Sequence, residues 1–131
     1  MPPPSSSGPV LRWPSSAELL EQAHQWAQRQ ATGHPELEAV GVFGSYGRGD
    51  AGVGSDLDLL MILSRCDLPI WERLRPWDTA TLPLSTDLLV YSREEWQTLP
   101  SWNPRLAATL ARDVHWLIPP ADAVAAHQPT Q

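Results

Sequence analysis

The chain has no lysine; all nine of its basic side chains are arginine. That absence removes phosphate loops of the G-x-x-x-x-G-K-[ST] type, Schiff-base chemistry and any lysine general base. A single cysteine, Cys66, rules out an internal disulfide, and a lone thiol after an apolar stretch reads as a passenger rather than a nucleophile. Cysteine usage therefore fits a reducing, cytoplasmic setting. No apolar run approaches the ~20 residues of a membrane span. The opening Met1 to Pro9, made of Pro, Ser and Gly, lacks the basic and apolar regions of a signal peptide. Fifteen acidic residues against nine arginines leave a formal net charge of -6, which argues against a nucleic-acid partner gripped by phosphate neutralisation. A chain of 131 residues has room for one core and little more.

What is present organises around that core. Residues 1–14 read as a disordered lead-in and 119–131 as a flexible tail, leaving 15–118 as the domain. Ser15 and Glu18 form a capping-box pattern. Leu19, Ala23 and Trp26 with Leu20 and Ala27 make an apolar stripe at helical spacing, which Gly33 and Pro35 end. Pro69 to Thr81, with Trp71, Leu74 and Trp77, predicts a helix broken at Pro76. Asn103-Pro104 starts another helix with Leu106, Ala107 and Leu110 inward, and Val114, Trp116 and Ile118 alternate as a final strand. Seven tryptophans invite a base-stacking role, but Trp26, Trp96 and Trp116 fall at amphipathic positions and read as core. Trp13 and Trp102, beside prolines, read as loop residues open to partner contact. The histidines, His24, His34, His115 and His127, are too scattered for a shared zinc site.

The chemistry concentrates in one run. Leu37 to Phe43 reads as a strand, and Gly44-Ser45 as the turn from it into a short helix, where Gly permits close backbone approach and free N–H groups favour an anion. From Ser55 the pattern is strand-like again, with Asp56, Asp58, Leu60 and Ile62 on one face. Two carboxylates roughly 7 Å apart along a strand end repel unless protonated or neutralised. Mg²⁺ suits them, because it takes hard oxygen ligands and shares its shell with substrate phosphates. Asp87 opens a further strand, with Leu89 and Tyr91 on its face and Leu88 and Val90 opposite. Asp-x-Asp alone is ordinary solvated acid; the combination with Gly44-Ser45 and Asp87 makes a site. Arg48 reads either as a phosphate contact or as a surface ion-pair partner. Gly47 to Gly52 also fits G-x-G-x-x-G, but a strand follows where a dinucleotide fold needs a helix.

Gly44-Ser45, the spacing to Asp56-Leu57-Asp58, and the later Asp87 resemble the DNA polymerase beta-like nucleotidyltransferase superfamily. Within it the chain looks like a minimal nucleotidyltransferase over about residues 15 to 118. Tyr91 to Trp96 and Leu106 to Ile118 are similar to that group's usual ending. Gly47 departs from the Ala that many relatives carry, which bears on local helix stability. The resemblance implies an α+β fold, a small mixed sheet flanked by helices, and transfer of a nucleoside monophosphate from a triphosphate to a hydroxyl. Asp56 and Asp58 would hold two Mg²⁺ ions, Asp87 would complete the acceptor-side metal and help take the proton, and Gly44, Ser45 and Arg48 would bind the phosphates of ATP.

Relatives that act on antibiotics or nucleic acids usually carry a second, helical domain, for which this chain has no room. Stand-alone members are often the antitoxin half of a toxin–antitoxin pair, so the resemblance implies an AMP transferase acting on a HEPN-type helical toxin. Two other classes remain open. One is an antitoxin that works by contact alone; the other is a small-molecule nucleotidyltransferase of the aminoglycoside type.

Overall fold

The computed structural model describes residues 14–121. Trp13, His127 and most of the expected lead-in and tail lie outside them. The elements run α1 (Ser16–Gly33), β1 (Leu37–Phe43), α2 (Gly44–Arg48), β2 (Leu57–Leu63), β3 (Thr86–Ser92), α3 (Arg93–Trp102), α4 (Pro104–Asp113) and β4 (His115–Ile118). The four strands make one mixed sheet in the order β3-β2-β1-β4, with β2 and β3 parallel and the other neighbours antiparallel. The fold is thus the expected α+β arrangement of a small mixed sheet flanked by helices.

Alternation along β2 builds two half-cores. Leu57, Leu59, Met61 and Leu63 point to the side of α1, where Leu19, Ala23, Trp26 and Ala27 are buried against them. Leu60 and Ile62 point to the side of α3 and α4, joining Leu99 and Leu110. Asp58 continues that second row, so it emerges on the α3/α4 side at the strand's beginning. The helix boundaries follow their caps. Ser15 and Glu18 form a reciprocal capping box on α1, Ser92 and Glu95 form another on α3, and Asn103 caps α4 with Pro104 at its first turn. Trp96 and Trp116 are half-buried, edge to face, with ring centroids 5.9 Å apart; Trp26 is wholly buried and donates from its indole to the Asp78 carbonyl.

Two expectations fail. Residues 69–81 hold no α-helix, only a 3-10 turn at Ile70–Glu72 and successive turns, with Trp71 81% exposed and Trp77 alone of the expected apolar trio buried. The segment is instead the crossover between two parallel strands, and Pro76 denies a helix started at Ile70 its continuation. Trp102 is the end of α3, not a loop residue. Pro100 sits in the last turn, where the lost N–H costs one helical bond, and Trp102 packs edge-on against Tyr91.

The crossover is held by a side chain rather than by secondary structure. Arg73, 8% exposed, donates to the carbonyls of Leu68 and Val90 and makes a two-pronged pair with Glu95 at 2.7 and 3.0 Å. Arg73 thereby also covers part of the outer edge of β3. Its hydrogen bonds, against the opposing effect of burial, hold the Glu95 carboxyl below the ordinary glutamate range. Replacing Arg73 by Met should lower the unfolding free energy by about 2–3 kcal/mol in urea titrations at neutral pH, the scale of lost charge-assisted bonds. A depressed acid stabilises the fold above its unfolded pKa, about 4.3 for glutamate, and that stabilisation disappears as pH falls through the folded value. The gap between wild type and variant should therefore narrow below about pH 4; a gap independent of pH would mean the pair is not its source.

Candidate active site

The site forms where β1 turns into α2 above the start of β2. Phe43, the last residue of β1, lies across from Asp58 in the antiparallel pairing, and Asp58 lies beside Asp87 in the parallel one. Three strands therefore bring Gly44, Asp58 and Asp87 to one end of the sheet. Asp56 precedes β2 by one residue. Asp56 and Asp87 are exposed, while Asp58 is half-buried. Among the described residues no three His, Cys, Asp or Glu side chains close into a ready-made metal cage; the three acids form an open edge rather than a cluster.

Asp58 is the constrained member. Burial raises its carboxyl above the ordinary aspartate range, the charges of Asp87 and Asp56 raise it further, and only the Arg48 charge pulls it down. The turn above it explains the burial. Gly44 has φ +67°, and a Cβ there would overlap Asp58 Oδ2, so both backbone conformation and space call for glycine. Ser45 follows, half-buried in the first turn of α2. A half-buried carboxylate repelled by two others is relieved by a divalent cation, and open carboxylate ligation completed by substrate oxygens is what Mg²⁺ accepts. The donor set fits that ion.

Arg48 ends α2 and is already engaged. Its Nε donates to Asp50 at 3.1 Å, and its Nη1 stands 3.6 Å from Asp113 Oδ2. Of the two readings that the sequence left open, ion pairing is therefore realised among protein groups. Gly47, the departure from the usual Ala, also has a reason here: a Cβ would lie 2.5 Å from the Val42 carbonyl oxygen and closer still to that of Asp113. Sequence reasoning passed over Asp113. The available signal was its position on the stripe Leu106, Leu110, Asp113, an acid on the inner face of an amphipathic helix.

Glycine is required at Gly44 and not at Gly33, where nothing stands within 4 Å of an added Cβ. Gly44→Ala should lower the thermal midpoint by several degrees, as about 1–3 kcal/mol of added backbone strain and overlap implies for a domain of this size, whereas Gly33→Ala should not. Asp58→Asn should raise the midpoint at pH 7 without divalent cation, because the ionised form is the penalised one. Added Mg²⁺ should then stabilise wild type more than the variant. Equal Mg²⁺ effects on both would remove Asp58 from the ion's ligands.

Among curated proteins none matches the chain. Of solved structures, a nucleotidyltransferase from Sulfolobus solfataricus shares 21% identity over 82% of this chain and 90% of that one, with a TM-score of 0.56, and so shares the fold. A toxin–antitoxin with AMP-PNP is 20% identical over 72% of this chain and 71% of that one, with a TM-score of 0.49. A mutant of the toxin–antitoxin MntA-HpeT is 17% identical over 75% and 71%, with a TM-score of 0.47. The nucleotidyltransferase domain family matches residues 28–106, a span from within α1 through the Gly44-Ser45 turn and all three acids into α4. With more than half of its length matched, the chain belongs to the nucleotidyltransferase domain family.

Proposed function

We propose that this protein transfers AMP from ATP to a hydroxyl on a partner protein, and that the partner is a HEPN-type helical toxin silenced by the modification in the cytoplasm. The observation that carries the nucleotidyl-transfer part is the placement of Asp58 beneath the Gly44 turn and beside Asp87. In this reading Asp56, Asp58 and Asp87 would hold Mg²⁺, which when bound would supply charge neutralisation at the leaving pyrophosphate and a lowered pKa for the acceptor hydroxyl. The backbone of Gly44 and Ser45 and the guanidinium of Arg48 bind the β- and γ-phosphates. The acceptor oxygen attacks the α-phosphorus, the bond to the bridging oxygen breaks, and pyrophosphate departs. Asp87, exposed at the start of β3, accepts the hydroxyl proton. Such transfers depend on positioning and electrostatics more than on covalent help from protein groups.

A protein acceptor is supported by the resemblance to stand-alone minimal nucleotidyltransferases and by the exposure of Asp56 and Asp87, which lets an acceptor approach from solvent. No helix among the described residues is long and apolar enough to cross a membrane. The test is incubation with α-³²P-labelled ATP and Mg²⁺ in lysate of the source cells, beside the Asp56→Asn, Asp58→Asn double variant. One small labelled protein, absent with the variant, is expected. Label on an added aminoglycoside and on no protein would replace the protein acceptor with a small molecule. A partner copurifying unlabelled with both versions would leave an antitoxin that acts by contact.

A further inference from the structure

The last residue of α4 is an acid almost out of reach of water. Asp113 is 3% exposed, a place where carboxylates are rarely found unless paired. Its oxygens accept from Arg112 Nε at 2.9 Å and Nη2 at 3.4 Å. Arg112 is its sequence neighbour and lies mostly in water, and such a pair needs no burial to form. The second partner comes from the other side of the site: Arg48, at the end of α2, with Nη1 3.6 Å from Oδ2. The main chain repeats the link, because the Asp113 carbonyl oxygen occupies the space that a side chain at Gly47 would need. The C-terminal end of α4 is thus docked on α2 by backbone and side chain together, and the negative end of its dipole adds to the attraction for a cation.

The geometry points to Asp113 as a positioning residue for the nucleotide: through Arg48 it fixes a guanidinium at the end of the five-residue helix that Gly44-Ser45 begins, ready for the triphosphate. The inference rests on the nucleotidyl-transfer reading above. Arg48 is close enough to the acids for its charge to oppose theirs at Asp58. A guanidinium has five N–H donors, and Asp50 and Asp113 engage only its Nε and Nη1, so donors remain for phosphate oxygens. An arginine on the surface gives up rotamer freedom when it binds a ligand, and one already held between two carboxylates has less to lose. A merely structural Asp113 would hold α4 to α2 without mattering to Arg48's work.

The two roles separate in a double-mutant cycle read by nucleotide affinity, which needs no acceptor. The full chain, Asp113→Asn, Arg48→Ala and the combined variant are titrated calorimetrically with Mg²⁺ and AMP-PNP, each after a thermal unfolding curve. Asp113→Asn should weaken binding on the order of tenfold, and the combined variant should bind no more weakly than Arg48→Ala alone. Wild-type affinity in Asp113→Asn, or losses that simply add, would overturn the positioning role. Absence of binding by wild type would instead overturn the nucleotidyl-transfer reading, and this inference with it. Should Asp113→Asn fail to fold, Gly47→Ala tests the same docking, because its methyl group would be driven against the carbonyl oxygens of Asp113 and Val42 alike and so part α2, with Arg48, from the end of α4. It should weaken binding in wild type and not in the Arg48→Ala background; unchanged affinity would again overturn the inference.

Discussion

The site depends on the parallel, in-register pairing of β2 with β3. That pairing sets Asp58 beside Asp87, whose charge adds to burial, the larger cause, in raising the Asp58 carboxyl and so makes a cation welcome. A one-residue slip would turn every side chain of β3 to the other face, placing Asp87 on the side of α1 and Val90 among α3 and α4. Register is held because both faces of β2 are buried in different half-cores. Two parallel neighbours also require a long crossover, and here it is tied down by Arg73 rather than by a helix. The stability of an irregular segment and the geometry of the acids are therefore linked through one sheet edge.

The antiparallel neighbour supplies the other half. β1 ends opposite Asp58, and the chain turns at Gly44 with a positive φ so closely that no side chain fits above the carboxylate. Covering Asp58 in this way is unfavourable for an apo protein at neutral pH, since the charged form loses hydration and faces two like charges. Such a cost is expected at sites that bind a cation with an anionic substrate, where both charges arrive together.

Much of this was legible in sequence because the signals were local. Period-two alternation from Asp56 to Leu63 gave β2 and the face of its acids; Ser15 with Glu18 and Asn103 with Pro104 gave two helix starts. The spacing from Gly44-Ser45 to Asp56 and Asp58 pointed to the candidate site, whose residues the fold brings to one sheet end. What was not legible was decided by tertiary contact. Trp71 and Leu74 suggested a helix face, yet the segment serves as a crossover pinned by Arg73, whose partners Val90 and Glu95 are distant in sequence. Trp102 beside prolines suggested a loop, but α3 continues through Pro100. Gly47 looked like a weak helix residue until Asp113, far along the chain, proved to need its space.

The central claim is that Asp56, Asp58 and Asp87 share a divalent cation with a nucleotide. The most direct measurement is paramagnetic broadening of side-chain carboxyl carbons by NMR on adding trace Mn²⁺ in place of Mg²⁺ together with ATP. Selective broadening of Asp56, Asp58 and Asp87, strengthened by ATP and sparing Asp67 and Asp78, is the predicted result. Broadening spread evenly over the exposed acids, or centred away from Asp58, would contradict it.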